Sequence, residues 1–261
     1  MSEYDFILDN MRYSYSSVSG YDSCAYGFYL TYIESKNRIG NFFGEFGSFC
    51  HDILEKYFKD ELDIFELVQY YEENYIEKVA IPPPPYPMGM ADKYYNDGLE
   101  FFQNFEFDKN NYEIVSIEDK IEYKHRDIFL VIIPDLILRK KLDSKYILVD
   151  YKTSKLKNDG KSKFDKEKIE GYKKQLLLYA YFIWQSKNIE IDEIKIWFLR
   201  NKIEHTIIVN PFEVQEVVEW FENTIGDIKK ETMWFANTDK KNKYFCSHIC
   251  SVSEHCKHKI A

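Results

Sequence analysis

Two aspartates that interrupt apolar segments are the residues of this chain whose types and positions best fit chemistry. Asp135 follows the apolar run FLVII and precedes LIL, and Asp150 ends the run YILV. A carboxylate in a buried strand is destabilised by desolvation unless it is paired or bound to a cation. Two such carboxylates indicate a metal site, and their hard oxygen ligands favour Mg²⁺ or Mn²⁺.

Lys152 lies two residues beyond Asp150, so both side chains leave the same face of one strand. In phosphodiester hydrolysis a metal binds a phosphate oxygen and acidifies an attacking water, and a nearby lysine orients that water or neutralises the developing charge. The alternative is structural. In it, Asp135 caps a bulge and Asp150 forms an ion pair with Lys152 at the end of a strand.

Further polar residues accompany the acidic pair. Gln175 and Tyr179 stand four residues apart on a predicted helix, so they share a face and could hold phosphate or the attacking water. Packing between core and surface is the alternative for that pair. His51 lies on an otherwise apolar helix and, on that evidence alone, is a satisfied core histidine. Glu118, on the strand before Asp135, belongs to no motif that we can match.

The five cysteines favour metal binding over disulfides, because the N-terminus MSEYDFILDN lacks the basic start and apolar stretch of a secretory signal. Cys246, Cys250 and Cys256 fall in the short segment FCSHICSVSEHC, which could wrap one centre, with a fourth ligand from elsewhere. Zinc is one possible occupant. Nearby histidines could replace a thiolate there, namely His248, His255 and His258. Cys50 is predicted to be a small core residue.

Apolar periodicity predicts helices first and strands in the middle of the chain. Helices are predicted over Tyr21–Ile33, Phe42–Tyr57, Ile64–Val79, about Ala91–Phe105, and Lys168–Gln185, with a loop at the prolines of 82–87. Strands are predicted over Ile114–Tyr123, Asp127–Leu138, Tyr146–Tyr151, Ile191–Leu199 and Ile203–Val209. Pro211 opens a last long helix, and the tail from Tyr244 is irregular. This order predicts an α/β (α+β) fold with a central mixed β-sheet flanked by helices.

The composition indicates a globular chain. It also argues against a protein that covers nucleic acid by overall charge attraction. The 261 residues are 45% hydrophobic and carry a net charge of −9, which argues against binding by bulk electrostatics. A basic island interrupts this acidity and either meets phosphate or forms a solvated face. Its lysines are Lys155, Lys157, Lys161, Lys163, Lys166, Lys168 and Lys173. The longest apolar run, Leu176–Trp184, is too short to span a bilayer, so we expect no membrane span and a cytoplasmic location.

Several of these segments together resemble RecB-like exonucleases of the PD-(D/E)XK type. The segments are PDLIL around Asp135, DYKT from Asp150, QLLLY from Gln175 to Tyr179, GSFCHDILEK with His51, and SYSSVSGYDSCAYGFYLTYI near the N-terminus. The resemblance implies a restriction-endonuclease-like core with a helical N-terminal elaboration and a cysteine-bearing C-terminal tail. It also implies that His51, Asp135 and Asp150 bind the metal, and that Asp135, Asp150 and Lys152 form the cleavage centre.

Four-cysteine members of this family, including AddB-like and CRISPR-associated RecB-like nucleases, bind a [4Fe-4S] cluster through one N-terminal and three C-terminal cysteines. The resemblance places the cluster on Cys24, Cys246, Cys250 and Cys256. This chain has C-x3-C-x5-C where the family usually has C-x2-C-x5-C, so zinc stays open as the alternative occupant. Such a centre would join the two ends of the chain and act structurally.

The resemblance predicts a metal-dependent DNA exonuclease that acts on single strands or duplex ends in recombination, repair or phage DNA processing. A helicase or a recombination protein is its candidate partner. One domain of residues 1–261 is predicted, with a helical insertion (60–110), a catalytic core (112–210) and a staple of residues 244–258 with Cys24. The alternatives are a non-catalytic DNA-binding or assembly module and a site-specific endonuclease of the same fold.

Overall fold

The structure is a computed structural model that describes residues 4–157 and 160–260. Residues 1–3, 158–159 and 261, which the predicted domain includes, lie outside this description. The chain folds into two compact units. Unit 1 comprises Met1–Asn41, Glu122–Ile132 and Gln215–Ala261, and unit 2 comprises Phe42–Ile121 and Ile133–Val214. The division into an insertion, a core and a staple stays a prediction.

The secondary structure alternates between helical stretches and strands. The α-helices are α1 (Asp5–Asn10), α2 (Tyr15–Ser23), α3 (Ala25–Phe28), α4 (Phe42–Phe58), α5 (Leu67–Lys78), α6 (Met90–Gln103), α7 (Lys163–Lys187), α8 (Pro211–Lys230) and α9 (Lys243–His248). The strands are β1 (Arg12–Tyr13), β2 (Tyr112–Ile117), β3 (Ile121–His125), β4 (Ile128–Ile132), β5 (Leu136–Lys140), β6 (Tyr146–Lys152), β7 (Ile191–Phe198) and β8 (Ile203–Ile208).

Unit 2 is built on a five-stranded mixed sheet in the order β2-β5-β6-β7-β8. The pairs β2/β5, β5/β6 and β7/β8 are antiparallel, and β6/β7 is parallel. The parallel pair follows from its connection, because parallel neighbours need a long crossover and α7 supplies one. The apolar run of β6 is buried, as expected for a central strand covered on both faces. The predicted fold, a mixed sheet flanked by helices, is confirmed.

Two of the predicted strands are wrong in extent, because each is split in two. The predicted strand Ile114–Tyr123 consists of β2 and β3, separated at Glu118, whose φ of 51° is incompatible with an extended strand. The predicted strand Asp127–Leu138 consists of β4 and β5, separated by residues 133–135. Pro134 lies in this second break and has no amide hydrogen to donate to a ladder. The segment that carries β3 and β4 therefore leaves the unit 2 sheet and returns to it.

The helices α4, α5 and α6 supply most of the core on one face of the unit 2 sheet. Helix α4 buries residues at helical spacing, including Phe46, Phe49 and Ile53, as its periodicity predicted. They pack with Tyr71 of α5 and with apolar residues of β5 and β6. Cys50 is buried in the same core, as predicted.

Unit 1 contains α1, α2, α3 and a short three-stranded sheet in the order β1-β4-β3. The continuous helix predicted over Tyr21–Ile33 is wrong, because Cys24 interrupts it. Cys24 is extended, with φ −163° and ψ 98°, and it both ends α2 and caps α3. A π-helical turn, Tyr29–Ile33, follows. The tail predicted to be irregular contains the short helix α9.

Helix α7 begins at Lys163, earlier than the predicted Lys168. The Ser162 hydroxyl accepts a hydrogen bond from the Asp165 amide and so caps the first turn. Among the described residues, none of the helices is both long enough and apolar enough to cross a membrane.

Two glycines of unit 2 should respond oppositely to alanine, because only one has room for a Cβ. At Gly98 on α6 a Cβ would overlap the buried Tyr71 hydroxyl, which donates to the Tyr95 carbonyl, so Gly98→Ala should destabilise by about 1–3 kcal/mol. At Gly171 on α7 a Cβ would meet nothing within 4 Å, and alanine favours the helix by up to about 1 kcal/mol. Urea unfolding measures both, and equal effects would contradict this packing.

Candidate active site

The acidic pair meets at the end of two neighbouring strands. Leu136 of β5 pairs with Val149 of β6, so Asp135 lies one step beyond this pair, opposite Asp150. Asp135 thus precedes β5 and does not stand inside a strand, while Asp150 and Lys152 share one face of β6. The sheet register therefore brings together the three residues around which the sequence prediction was built.

Asp135 is 9% exposed and is held by the backbone of β6. Its Oδ2 accepts a hydrogen bond of 2.6 Å from the Tyr151 amide. Burial, and then the charge of Asp150, raise the pKa of Asp135 to about 7. Two carboxylates this close and this buried are destabilised when both are ionised, which is the electrostatic condition that a bound cation relieves.

Asp150 and Lys152 form a buried ion pair. Lys152 Nζ donates to Asp150 Oδ1 at 2.9 Å and lies 2.7 Å from Oδ2. Burial lowers the pKa of Lys152, but the charges of Asp150 and Asp135 outweigh it and raise the pKa above its usual value. The buried Oδ2 receives no aligned hydrogen bond from the described residues. The structural ion pair is therefore present, with both Asp150 oxygens within 2.9 Å of the Lys152 ammonium.

His51 of α4 faces the carboxylates with one ring nitrogen. Its Nε2 lies 3.0 Å from the Tyr151 carbonyl, while Nδ1 lies 3.4 Å from Glu118 Oε1 and 3.6 Å from Asp135 Oδ2. A carbonyl only accepts, so Nε2 carries the hydrogen, and Nδ1 is left for a proton or a metal. Burial lowers the pKa of His51, and the two carboxylates outweigh it and raise it to about 9.

Glu118 completes the tightest group of possible metal ligands. One ligand atom each from His51, Glu118 and Asp135 lie within 4.8 Å of one another, and no other such group occurs among the described residues. The left-handed backbone at Glu118 ends β2, and the Glu118 amide donates to the Asp135 carbonyl at 3.0 Å. The group thus contains Glu118 in the place that the sequence prediction assigned to Asp150.

Helix α7 contributes the second polar pair. Gln175 Nε2 donates to the Tyr179 hydroxyl at 3.2 Å, and burial and the charges of Asp150 and Asp135 raise the pKa of Tyr179 above its usual value, against the effect of Gln175. Tyr172, one turn earlier, was missed by sequence reasoning. Lys152 Nζ lies 4.7 Å from the centre of its ring. Its position three residues before Gln175, on the same face of the predicted helix, was the signal that could have identified it.

The charges of the site fit a divalent cation. Three carboxylates, those of Glu118, Asp135 and Asp150, face one permanent cation, Lys152, and one histidine. The donors are carboxylate oxygens and an imidazole nitrogen, which suit Mg²⁺ or Mn²⁺. With all three carboxylates ionised, negative charge exceeds the positive charge of Lys152 and protonated His51 by one.

The four predicted cluster cysteines, Cys24, Cys246, Cys250 and Cys256, all line one cavity of about 570 Å³ in unit 1. They are half-buried free thiols. Burial, and then the neighbouring Cys24 and Cys256 thiols, raise the pKa of Cys246. Within the described ranges, no three of these sulfurs come within 4.8 Å of one another, so the thiols do not form a tight cluster.

Part of the basic island of unit 2 is neutralised. Lys155 and Lys173 form ion pairs with carboxylates of the same unit. Lys157 and Lys168 instead lie 5.6 and 5.1 Å from the ring centre of Phe164, on the first turn of α7. The island is therefore neither a uniform solvated face nor a uniform phosphate-binding surface.

A family model of the PD-(D/E)XK nuclease superfamily matches residues 12–257. The chain belongs to the PD-(D/E)XK nuclease superfamily. Nucleases of this superfamily typically use divalent metals, and the ligand group on unit 2 could bind one. The predicted superfamily is confirmed, and the narrower RecB-like, iron-sulfur subfamily stays a prediction.

The other comparisons add less. One solved structure, described as "Crystal structure of SSO0001", is 18% identical, covers 81% of this chain and 83% of its own, and has a TM-score of 0.35. A likeness at that score carries no argument about function. No curated protein matches the chain.

The ligand group makes Glu118→Gln a direct test of metal binding. Removing its negative charge should weaken Mn²⁺ binding at least about 10-fold, measured by isothermal titration calorimetry. Glu113→Gln, at an exposed glutamate on the preceding strand β2, is the matched control and should bind as wild type does. Unchanged affinity in Glu118→Gln, together with lost affinity in Asp150→Asn, would restore the ligand set His51, Asp135 and Asp150.

Proposed function

We propose that this protein is a Mg²⁺- or Mn²⁺-dependent deoxyribonuclease that degrades DNA from single-stranded or duplex ends. The observation that carries the proposal is the group of His51, Glu118 and Asp135 beside the buried Asp150–Lys152 pair. The superfamily supplies the reaction class, and the residues of unit 2 supply the means to perform it.

In this proposal, His51, Glu118, Asp135 and Asp150 hold the cation. A bound divalent cation polarises the scissile phosphate and lowers the pKa of an attacking water. His51 keeps Nδ1 directed at the carboxylates because Nε2 is held by the Tyr151 carbonyl. Asp135 is kept in place by the Tyr151 amide.

Lys152 supplies positive charge where the phosphate becomes more negative. Its ammonium stays protonated at neutral pH, because the neighbouring carboxylates raise its pKa in spite of burial. It can therefore stabilise the charge that develops on the phosphate oxygens. The amide of Gln175 and the hydroxyl of Tyr179 are the proposed hydrogen-bond donors to the phosphate or to the attacking water.

The exonuclease activity, the DNA substrate and a role in recombination, repair or phage DNA processing rest on the resemblance of the motifs to RecB-like exonucleases. The same holds for a helicase or recombination protein as partner. A non-catalytic DNA-binding or assembly module is disfavoured, because none of Asp135, Asp150 and Lys152 has been lost. Circular single strands distinguish a site-specific endonuclease of the same fold from an exonuclease, because a circle has no end from which an exonuclease can start.

Cleavage assays test the proposal. Wild type should shorten end-labelled linear single strands and duplexes with Mg²⁺ or Mn²⁺, give no products with EDTA, and spare covalently closed circular single strands. Asp150→Asn and Lys152→Met should each lower the rate at least about 100-fold, because the first removes a charge that holds the cation and the second removes the charge that stabilises the phosphate oxygens. The product ladder gives the strand polarity.

Matched controls for these variants lie in the turn between β5 and β6. Asp143→Asn and Lys141→Met make the same chemical changes at exposed positions and should cleave as wild type does. Cutting of the circular strand would favour the endonuclease. Binding without cleavage under every metal would leave the binding module as the function.

We also propose that Cys24, Cys246, Cys250 and Cys256 bind a [4Fe-4S] cluster, with zinc as the alternative. The four thiols line one cavity, which brings Cys24 together with the three C-terminal cysteines. The Cys24 sulfur accepts hydrogen bonds from the amides of Gly27 and Asn237, both at 3.4 Å, as cluster thiolates do. A cluster here would join distant segments of unit 1 and stabilise it.

Metal analysis after anaerobic purification checks this centre. Wild type should contain iron and acid-labile sulfide, and Cys256→Ala should lose both and unfold at a lower temperature. Cys50→Ala removes a cysteine outside the cavity and should keep the iron. Zinc in place of iron would select the alternative, and wild type free of both metals would contradict the centre.

A further inference from the structure

A stripe along helix α7 connects an exposed aromatic ring with the candidate active site. At about 100° per residue, the stripe of Phe164, Lys168, Tyr172, Gln175 and Tyr179 falls within an arc of about 80°. Its length is about 22 Å at 1.5 Å per residue. Tyr172 contacts the Lys152 ammonium at 4.7 Å. The stripe therefore runs continuously from the start of α7 to the residues proposed to act on the phosphate.

Phe164, at the outer end of the stripe, has the chemistry of a base-stacking platform. It is 57% exposed, and the ammonium groups of Lys157 and Lys168 lie 5.6 and 5.1 Å from its ring centre. An open aromatic ring accepts a nucleic-acid base of any sequence, and adjacent cations bind the phosphates on either side of that base. The Lys168 ammonium also donates a hydrogen bond of 3.0 Å to the Lys155 carbonyl, and since an ammonium has three hydrogens to donate, others are left for a phosphate.

Part-buried hydrogen bonds hold Lys157 and the first turn of α7, which carry this platform. The Lys157 amide donates to Asp165 at 2.8 Å, and the Ser162 hydroxyl donates to the same carboxylate at 2.6 Å. Asp165 is fully buried. One residue earlier, the Leu156 amide donates to Asn201 at 2.7 Å. The platform is thus preorganised, which lowers the entropic cost of binding a strand.

We propose that Phe164, Lys157 and Lys168 bind an unpaired nucleic-acid strand, and that the α7 stripe directs this strand to Lys152. The proposal rests on the nuclease function and narrows its substrate. Only an unpaired base exposes its face to an aromatic ring, so the platform selects single strands and frayed ends over paired duplex.

Fluorescence anisotropy with a labelled oligothymidylate in EDTA measures binding without cleavage. Phe164→Leu, which keeps an apolar side chain but removes the ring, should weaken binding about 10-fold. Phe164→Trp should restore affinity to within about twofold of wild type. A blunt-ended duplex of two annealed strands, which has no loop, should bind more weakly and respond little to either change.

Trp184→Leu is the matched control. Trp184 is an exposed aromatic residue on the same helix, 49% exposed and about 200° around the axis from Phe164. It should bind the oligothymidylate as wild type does. Equal affinity of Phe164→Leu and wild type, or equal loss in Trp184→Leu, would overturn the platform.

Cleavage kinetics with Mn²⁺ separate this proposal from the nuclease function. If both are correct, Phe164→Leu raises KM for single-stranded DNA about 10-fold and leaves kcat nearly unchanged. If wild type cleaves DNA but Phe164→Leu changes neither binding nor KM, the platform is rejected and the nuclease function stands. Binding that depends on Phe164 in a protein that cleaves nothing rejects the nuclease function alone.

Discussion

The main chain of Tyr151 fixes the geometry of the candidate site. Its amide holds Asp135 at 2.6 Å and its carbonyl holds His51 at 3.0 Å, while its neighbours along β6 carry the ion pair. Its side chain is 1% exposed and packs on Trp197 at 5.5 Å between ring centres. Groups from a helix, a strand break and a central strand are thus all positioned relative to one backbone segment. Apart from proline, which lacks the amide hydrogen, no substitution at residue 151 removes the main-chain atoms that hold them.

The site residues that lie within regular helices and strands could be predicted from the sequence. Alternation and apolar spacing identified β6 with Asp150 and Lys152, and α4 with His51, because these residues lie within regular elements. Glu118 could not be assigned in this way. Its position depends on a left-handed residue that ends β2 and on a backbone bond to Asp135, and neither leaves a periodic signal. Tyr172 was missed because its contact with Lys152 arises only when α7 packs on the sheet.

The structural and the catalytic interpretations of the acidic pair are compatible. The ion pair between Asp150 and Lys152 exists, and it keeps the lysine protonated despite burial. The same pair leaves one Asp150 oxygen without an aligned hydrogen bond. A buried ion pair contributes little net stability, so its retention in the core is better explained by the charge it places at the end of β6.

The two breaks that separate β2 from β3 and β4 from β5 stand at Glu118 and Asp135, which a backbone hydrogen bond joins at 3.0 Å. This bond joins the two ends of the segment that contains β3 and β4. Glu118 and Asp135 are therefore held next to each other by a bond between main-chain atoms at the two ends of the segment. Between β3 and β4 lies only the turn at Arg126 and Asp127, so this turn is where a change of length would disturb neither the ligand residues nor the β1-β4-β3 sheet.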